Sequence, residues 1–303
     1  MHVLQKEQSV YKFDKDNTPA LTIESGENVL FNTFDCFSDQ IQSEDQLVTS
    51  IDFSAVNPAT GPVYVKGAQP GNILKVDIHD IQVRDWGVIS TLPDIGILVH
   101  TVDPKTKIVK VEDHKIVHFN EEISFEAKPM IGVIGCAPAG EGIDNMYPGD
   151  HGGNLDNHVI KKGTTVYLPV NVEGALFGLG DIHASMGDGE ICGTGVEIAA
   201  SVETTLTTIS GQTIPRPMVE TKDSWYTVAS NASTDRAIQI ACEDMQTLLA
   251  KKWGLSLVDA YLLMSVAGDV QLCQCCKPNP GSDLEVIARF RMPKLAGMSP
   301  LIQ

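Results

Sequence analysis

Apolar and polar residues alternate with a period of two through much of the first three quarters of the chain. That pattern restricts those segments to strands with one face buried. In the run 72–80, Leu74, Val76 and Ile78 share one face while Lys75, Asp77 and His79 share the other. The segments Lys107–Val111 and Ile116–Phe119 flank the polar stretch 112–115, which predicts a hairpin. Thr164–Val172 and Leu176–Ser185 predict two more strands, and the Thr-rich, β-branched Val202–Ile209 suits a pleated, half-buried surface. Gly61-Pro62, Pro70-Gly71 and Pro148-Gly149 punctuate these runs as turns.

The period changes late in the chain. Ile238, Ala241, Cys242, Met245, Leu248 and Leu249 fall at i, i+3, i+4, i+7 spacing, with Ser233 or Thr234 to cap the start and Gly254 to close the end. A second helix is predicted from Ser256 to Gly268, with Asp259 in a variant of the capping box. Apolar side chains surround nearly its whole circumference, so burial on several sides is expected, within one subunit or partly between two. Val270–Cys276 and Glu285–Met292 read as strands around a turn at Pro278-Asn279-Pro280-Gly281. The predicted fold class is mainly β (α+β): a β-sandwich or barrel-like core carrying a late C-terminal helical hairpin.

With 43% hydrophobic residues in 303, the chain has enough apolar surface to offset its conformational entropy. A net charge of −17 and a pI near 4.7 argue against nucleic acid and anionic membranes as partners. No uncharged apolar run approaches the ~18 residues of a membrane span. The first residues show no basic segment followed by an apolar one, and the seven cysteines are an odd number, so a cytoplasmic protein with reduced thiols is expected.

The densest chemistry lies in the run Gly180–Glu190. On a strand, Asp181 and His183 point the same way, which lets a carboxylate and an imidazole converge on one divalent cation. Asp188 and Glu190 repeat the spacing on a Gly-rich turn. The same run also reads as a solvated acidic turn beside a hydrogen-bonded histidine. A second stretch, Tyr147–His158, is too rich in Gly and polar residues for a helix and offers His151, Asp156 and His158, or a turn-rich loop bonded to itself. A third, Gly135–Glu141, ends in a carboxylate. There is no G-x-S-x-G elbow, phosphate-binding loop or H-E-x-x-H. Cys273, Cys275 and Cys276 lack paired C-x-x-C spacing and read as structural; Cys136 and Cys192 have no histidine beside them in sequence.

The run Gly152-Gly153-Asn154-Leu155-Asp156, with Gly163–Val170, Gly180-Asp181-Ile182-His183 and Gly187-Asp188-Gly189-Glu190, resembles the acetamidase/formamidase family. Asn57–Pro62 and Gly67–Gly71 upstream and Asp259–Asp269 downstream fit as well, so the resemblance covers nearly the whole chain. It implies one β-rich domain over residues 1–303, or two intimate lobes, and hydrolysis of short aliphatic amides such as formamide and acetamide to a carboxylic acid and ammonia. It also implies a homodimer or higher homo-oligomer. Amide hydrolysis without a Ser or Cys device favours a divalent metal, zinc first and calcium second. Asp156, Asp181 and His183 are then the expected ligands, and Glu190 the general acid/base, with His151 and Glu141 as second choices. Asp35 matches the family's N-terminal acidic position as a further ligand or a residue behind one. The competing expectation is a small-ligand-binding sandwich with a structural metal and no catalysis.

Overall fold

In the computed structural model, which describes residues 1–276 and 284–303, two large sheets face each other. The spine of the first is Ile73–Val83, the longest strand. Its alternating side chains bury Leu74, Val76 and Ile78 as the period requires. It pairs antiparallel with Ala200–Ile209 on one side and Thr165–Pro169 on the other. The sheet has nine strands and runs from His2–Leu4 at one edge to Asp269–Leu272 at the other.

The second sheet has seven strands, with Met130–Gly135 between Gly152–Asn154 and Phe177–His183, and Ala59–Val65 beyond. Met130–Gly135 and Phe177–His183 are buried at every position, because both their faces are covered. The main core lies between the sheets. Phe31 from the first meets Phe177 from the second edge-on, with ring centroids 5.7 Å apart. The predicted hairpin forms within a smaller sheet, where Lys105–Glu112 pairs antiparallel with Ile116–His118.

Helix α1, Thr234–Trp253, is capped by Ser233 and closed by Gly254 in the left-handed region (φ 67°). It lays Ala241, Met245, Leu248 and Leu249 into a second core with Trp225, Phe290 and Met292. Helix α2, Leu257–Ala267, follows, its Ser256 side chain accepting from the Asp259 amide. Burial of α2 on several sides within one subunit is not found. Only Ala260 and Met264 are buried, and Leu257, Val258, Tyr261, Leu262 and Val266 are 58–83% exposed.

The predicted strand Val270–Cys276 is shorter than expected. Pairing with Val286–Pro293 stops at Leu272, and the chain turns through Cys273 and Gln274 toward the second sheet. The predicted turn Pro278–Gly281 lies outside the described residues. No helix among the described residues is long and apolar enough to cross a membrane.

Because Phe177 fills the junction between the sheets, Phe177→Ala should cost about 3–5 kcal/mol. Urea unfolding should show this as a lower midpoint at an unchanged slope.

Candidate active site

Strand Phe177–His183 ends in a constellation of buried acids. His183 Nε2 lies 3.3 Å from Asp181 Oδ1, 3.1 Å from Glu197 Oε2 and 3.8 Å from Asp156 Oδ1. Gln274 Nε2 donates to Asp156 Oδ2 at 2.6 Å and to Glu190 Oε2 at 2.9 Å, tying a fourth carboxylate to the same cluster. Asp156, Asp181, Glu190 and Glu197 are all buried.

Three segments deliver Asp156, Asp181, His183 and Glu190. Asp181 and His183 come from the strand itself, and Asp156 from the segment just past Gly152–Asn154. Glu190 closes the Gly-rich turn. Asp156, Asp181 and Glu190 all have φ between 35° and 53°, a left-handed conformation that costs a non-glycine residue about 1–3 kcal/mol. It is held here by the sheets around it. Gly132, on the neighbouring strand, makes room for the acids. A Cβ there would lie 2.5 Å from Asp181 Oδ2 and 2.6 Å from Asp156 Oδ1.

The electrostatics are one-sided. Burial, then the neighbouring Glu190 and Asp181 charges, pushes the Asp156 carboxyl well above its usual range. Burial likewise pushes Glu190 up to about 8 and Glu197 up to about 7. Burial alone would depress His183, but the Glu197 and Asp181 carboxylates outweigh it and hold the imidazolium well above its ordinary range. One imidazolium cannot balance four carboxylates, and buried uncompensated charge costs several kcal/mol per ion. Asp156 Oδ1 makes no hydrogen bond, and Glu197 Oε2 has the His183 imidazole 3.1 Å away. Buried carboxylate oxygens beside an imidazole are donors that a divalent cation can use. Among the described residues, two groups have ligand atoms mutually within 4.8 Å: Asp156, His183 and Glu190, and Cys36, Asp181 and Glu197.

The other sequence candidates stand apart from these groups. Asp35 is fully buried, but its Oδ2 pairs with Arg84 Nη2 at 2.6 Å and its Oδ1 accepts the Phe37 and Asp39 amides. Burial pushes it up to about 6 despite that guanidinium. It anchors the turn that presents Cys36. His151 is buried against the edge of Phe13 with both ring nitrogens unpartnered, and burial pushes it down to about 4. Glu141 sits on an exposed loop beside Lys12 and Asp14. Burial pushes the Cys136 thiol well up, and the half-buried Cys192 packs on Thr194.

Four residues that close the site had no local signal. Glu197 lies in the apolar run after Gly195, whose amide donates to Glu197 Oε1 at 2.7 Å. Cys36 and Gln274 come from distant turns. Arg289, from strand Val286–Pro293, is fully buried and donates to Asn157 Oδ1 at 2.8 Å and Asp188 Oδ2 at 2.6 Å. It therefore braces the residues next to Asp156 and two before Glu190. The strand carries two arginines, Arg289 and Arg291, and only Arg289 is fully buried, which the sequence does not distinguish.

These features define a β-sandwich protein organised around a buried acidic centre that can hold a cation. The chain belongs to the acetamidase/formamidase family, whose model matches residues 2–147 and 139–276. The solved acetamidase from Bacillus halodurans superposes with a TM-score of 0.92 at 44% identity, covering 96% of this chain and 97% of that one. A predicted acetamidase/formamidase from Thermoanaerobacter tengcongensis, also solved, gives 0.92 at 42% identity, covering 96% and 95%. The formamidase of Methylophilus methylotrophus is 25% identical over 242 residues. The chain spans 60% and 59% of the length of two of the curated relatives it matches.

Gly132→Ala should separate Asp156 from Asp181 by forcing a methyl group between them. Displacements near 1 Å cost on the order of 10²-fold in turnover, so steady-state kinetics should fall at least that far while far-ultraviolet circular dichroism stays unchanged.

Proposed function

We propose that the chain hydrolyses short aliphatic amides to a carboxylic acid and ammonia at the His183 cluster. The observation that carries this reading is the set of four buried carboxylates around one imidazole, placed beside a small apolar recess. Family membership supports the reaction type, because both structural relatives described above carry acetamidase or acetamidase/formamidase names.

Asp156 and His183 would hold a divalent cation, with Glu190 in the same group and Asp181 and Glu197 in the adjoining one. An imidazole among oxygen donors favours zinc over calcium, which takes oxygen alone. Such an ion supplies Lewis acidity, polarising a carbonyl and acidifying water to a pKa of about 7.

The chain's own groups do the remaining work. Glu190 moves the protons: its carboxylate accepts one from the attacking water and returns it to the amine nitrogen as the C–N bond breaks. Gln274 fixes that carboxyl through Oε2 and so sets where the proton is exchanged. Arg289 holds both flanking turns without touching the reacting atoms. A thiol nucleophile is unnecessary, and burial keeps Cys136 protonated.

The recess has a volume of about 100 Å³. Cys36 and Gln274 border it on the side of the cluster, and Phe37, Leu92, Ile95 and Met146 line it together with the polar Asn57, Asn154 and Thr194. At ~30 Å³ per water it has room for about three waters. A one- to three-carbon acyl group fits such a volume, and water is excluded as it enters.

Chelation should abolish ammonia release from acetamide, and zinc should restore it. His183→Ala should lower metal content, whereas Glu190→Gln should retain metal and lose about 10²–10⁴-fold in kcat. Metal analysis alongside kinetics separates the two. Loaded protein that binds acetamide without releasing ammonia would identify a binding module instead.

Chain-length selection should follow the recess. The kcat/KM for acetamide should exceed that for hexanamide by about 10–200-fold or more, measured across a series of linear amides.

A further inference from the structure

The recess beside the acidic centre has a mainly apolar wall, into which Asn57, Asn154, Thr194 and Gln274 bring polar groups. Two of these are already occupied. Thr194 Oγ1 donates to Ser90 O at 3.0 Å and accepts from the Ser90 amide at 3.1 Å. Gln274 Nε2 serves Asp156 and Glu190. Asn154 differs, because its Oδ1 is buried and makes no hydrogen bond. Among the described residues that border the recess, no other has a buried side-chain oxygen or nitrogen without a partner. A carbonyl oxygen removed from water and left unpaired is costly, so protein interiors keep few of them. At the wall of a binding recess, such an oxygen is an acceptor for a donor that the ligand brings.

The sense of this group is fixed. Asn154 Nδ2 donates to Met146 O at 3.4 Å, and a backbone carbonyl can only accept. The side-chain amide therefore keeps its nitrogen toward Met146 and its oxygen away. Its position is fixed as well. Asn154 is 7% exposed, ends strand Gly152–Asn154 and pairs with Val133 of the fully buried strand Met130–Gly135. Asn57 has no comparable constraint. Its backbone amide donates to Cys36 O and its carbonyl accepts from Asn145 Nδ2, and neither bond uses its side chain. Asn57 can turn to meet a carbonyl or an N–H, whereas Asn154 Oδ1 can meet only a donor.

That difference reads the leaving group of a substrate. A primary amide carries two N–H groups on the atom that departs. An ester of the same size carries oxygen lone pairs there. Facing an acceptor of fixed sense, the amide gains a hydrogen bond, while the ester sets lone pair against lone pair and leaves Oδ1 unpaired. The amide's bond also strengthens during reaction, because the nitrogen takes up a proton and positive charge as the C–N bond breaks.

We propose, resting on the amide-hydrolysis reading, that Asn154 Oδ1 accepts an N–H of the substrate's leaving nitrogen and thereby selects amides with a free N–H over esters.

N-methylacetamide and methyl acetate make the test, since they are nearly the same shape and differ by N–H against O. In wild type, methyl acetate should compete with acetamide about tenfold or more weakly than N-methylacetamide does. Asn154→Leu keeps the side-chain volume and removes the acceptor. Its kcat/KM for acetamide and N-methylacetamide should fall by about 10²-fold or more while that for methyl acetate holds or rises. Asn154→Ala should shift the amide-to-ester ratio the same way. Metal content and circular dichroism should match wild type in both variants. A role in folding alone would lower amide and ester together. Equal competition by the two isosteres in wild type overturns the proposal, as does an amide-to-ester ratio that both variants leave at its wild-type value; in either case amide hydrolysis itself stands. Wild type that hydrolyses none of the amides overturns that reading and this proposal with it.

Discussion

Four carboxylates buried around one imidazole form the constraint to which the rest of the molecule answers. Left alone, such a cluster would expel its charge by protonation or by opening to water. Neither Gln274 nor His183 can neutralise it, because an amide carries no charge and an imidazolium carries one. The surroundings act instead to keep the acids from moving apart. Gln274 spans two of them, and Gly132 removes the atom that would separate two others. Arg289 braces the turns on either side, and left-handed backbone at Asp156, Asp181 and Glu190 aims each carboxylate inward.

The sandwich makes this possible because the site stands on rigid strands at its most buried point. Met130–Gly135 and Phe177–His183 are covered on both faces, so neither can slide to relieve the repulsion. Hydrogen bonds across the antiparallel pair fix the register that sets His183 opposite Met130. Preorganisation of this kind lets a polar centre work without reorganising during reaction. It also accounts for Gly132, Gly135 and Gly180 on these strands, where a Cβ would collide with carboxylate or backbone atoms.

The strands and both helices were legible because periodicity and capping are local properties. Ser233, Gly254 and Ser256 each act where the sequence places them. The spacing of Asp181 and His183 on one strand, with Asp156 and Glu190 in nearby Gly-rich segments, also pointed to residues that the fold brings together. Glu197, Cys36, Gln274 and Arg289 were not legible. Each reaches the cluster through tertiary packing across long sequence separations, and no spacing records that. Gln274 was further masked by the cysteines around it. Helix α2 differs: its apolar composition signalled burial on several sides, but among the described residues most of its apolar side chains stay exposed.

Arg289 also governs when the centre can exist. The bracing guanidinium lies on the final long strand, while the acids it steadies are encoded about a hundred residues or more earlier. During synthesis, Asp156, Asp181 and Glu190 therefore leave the ribosome well before their brace. They must wait as hydrated, mutually repelling groups in an unfinished sheet. Closure over so long a separation is slow, and the strong negative charge keeps the waiting intermediate soluble. A nascent chain stopped short of Val286 would carry the acids and hold no ordered centre.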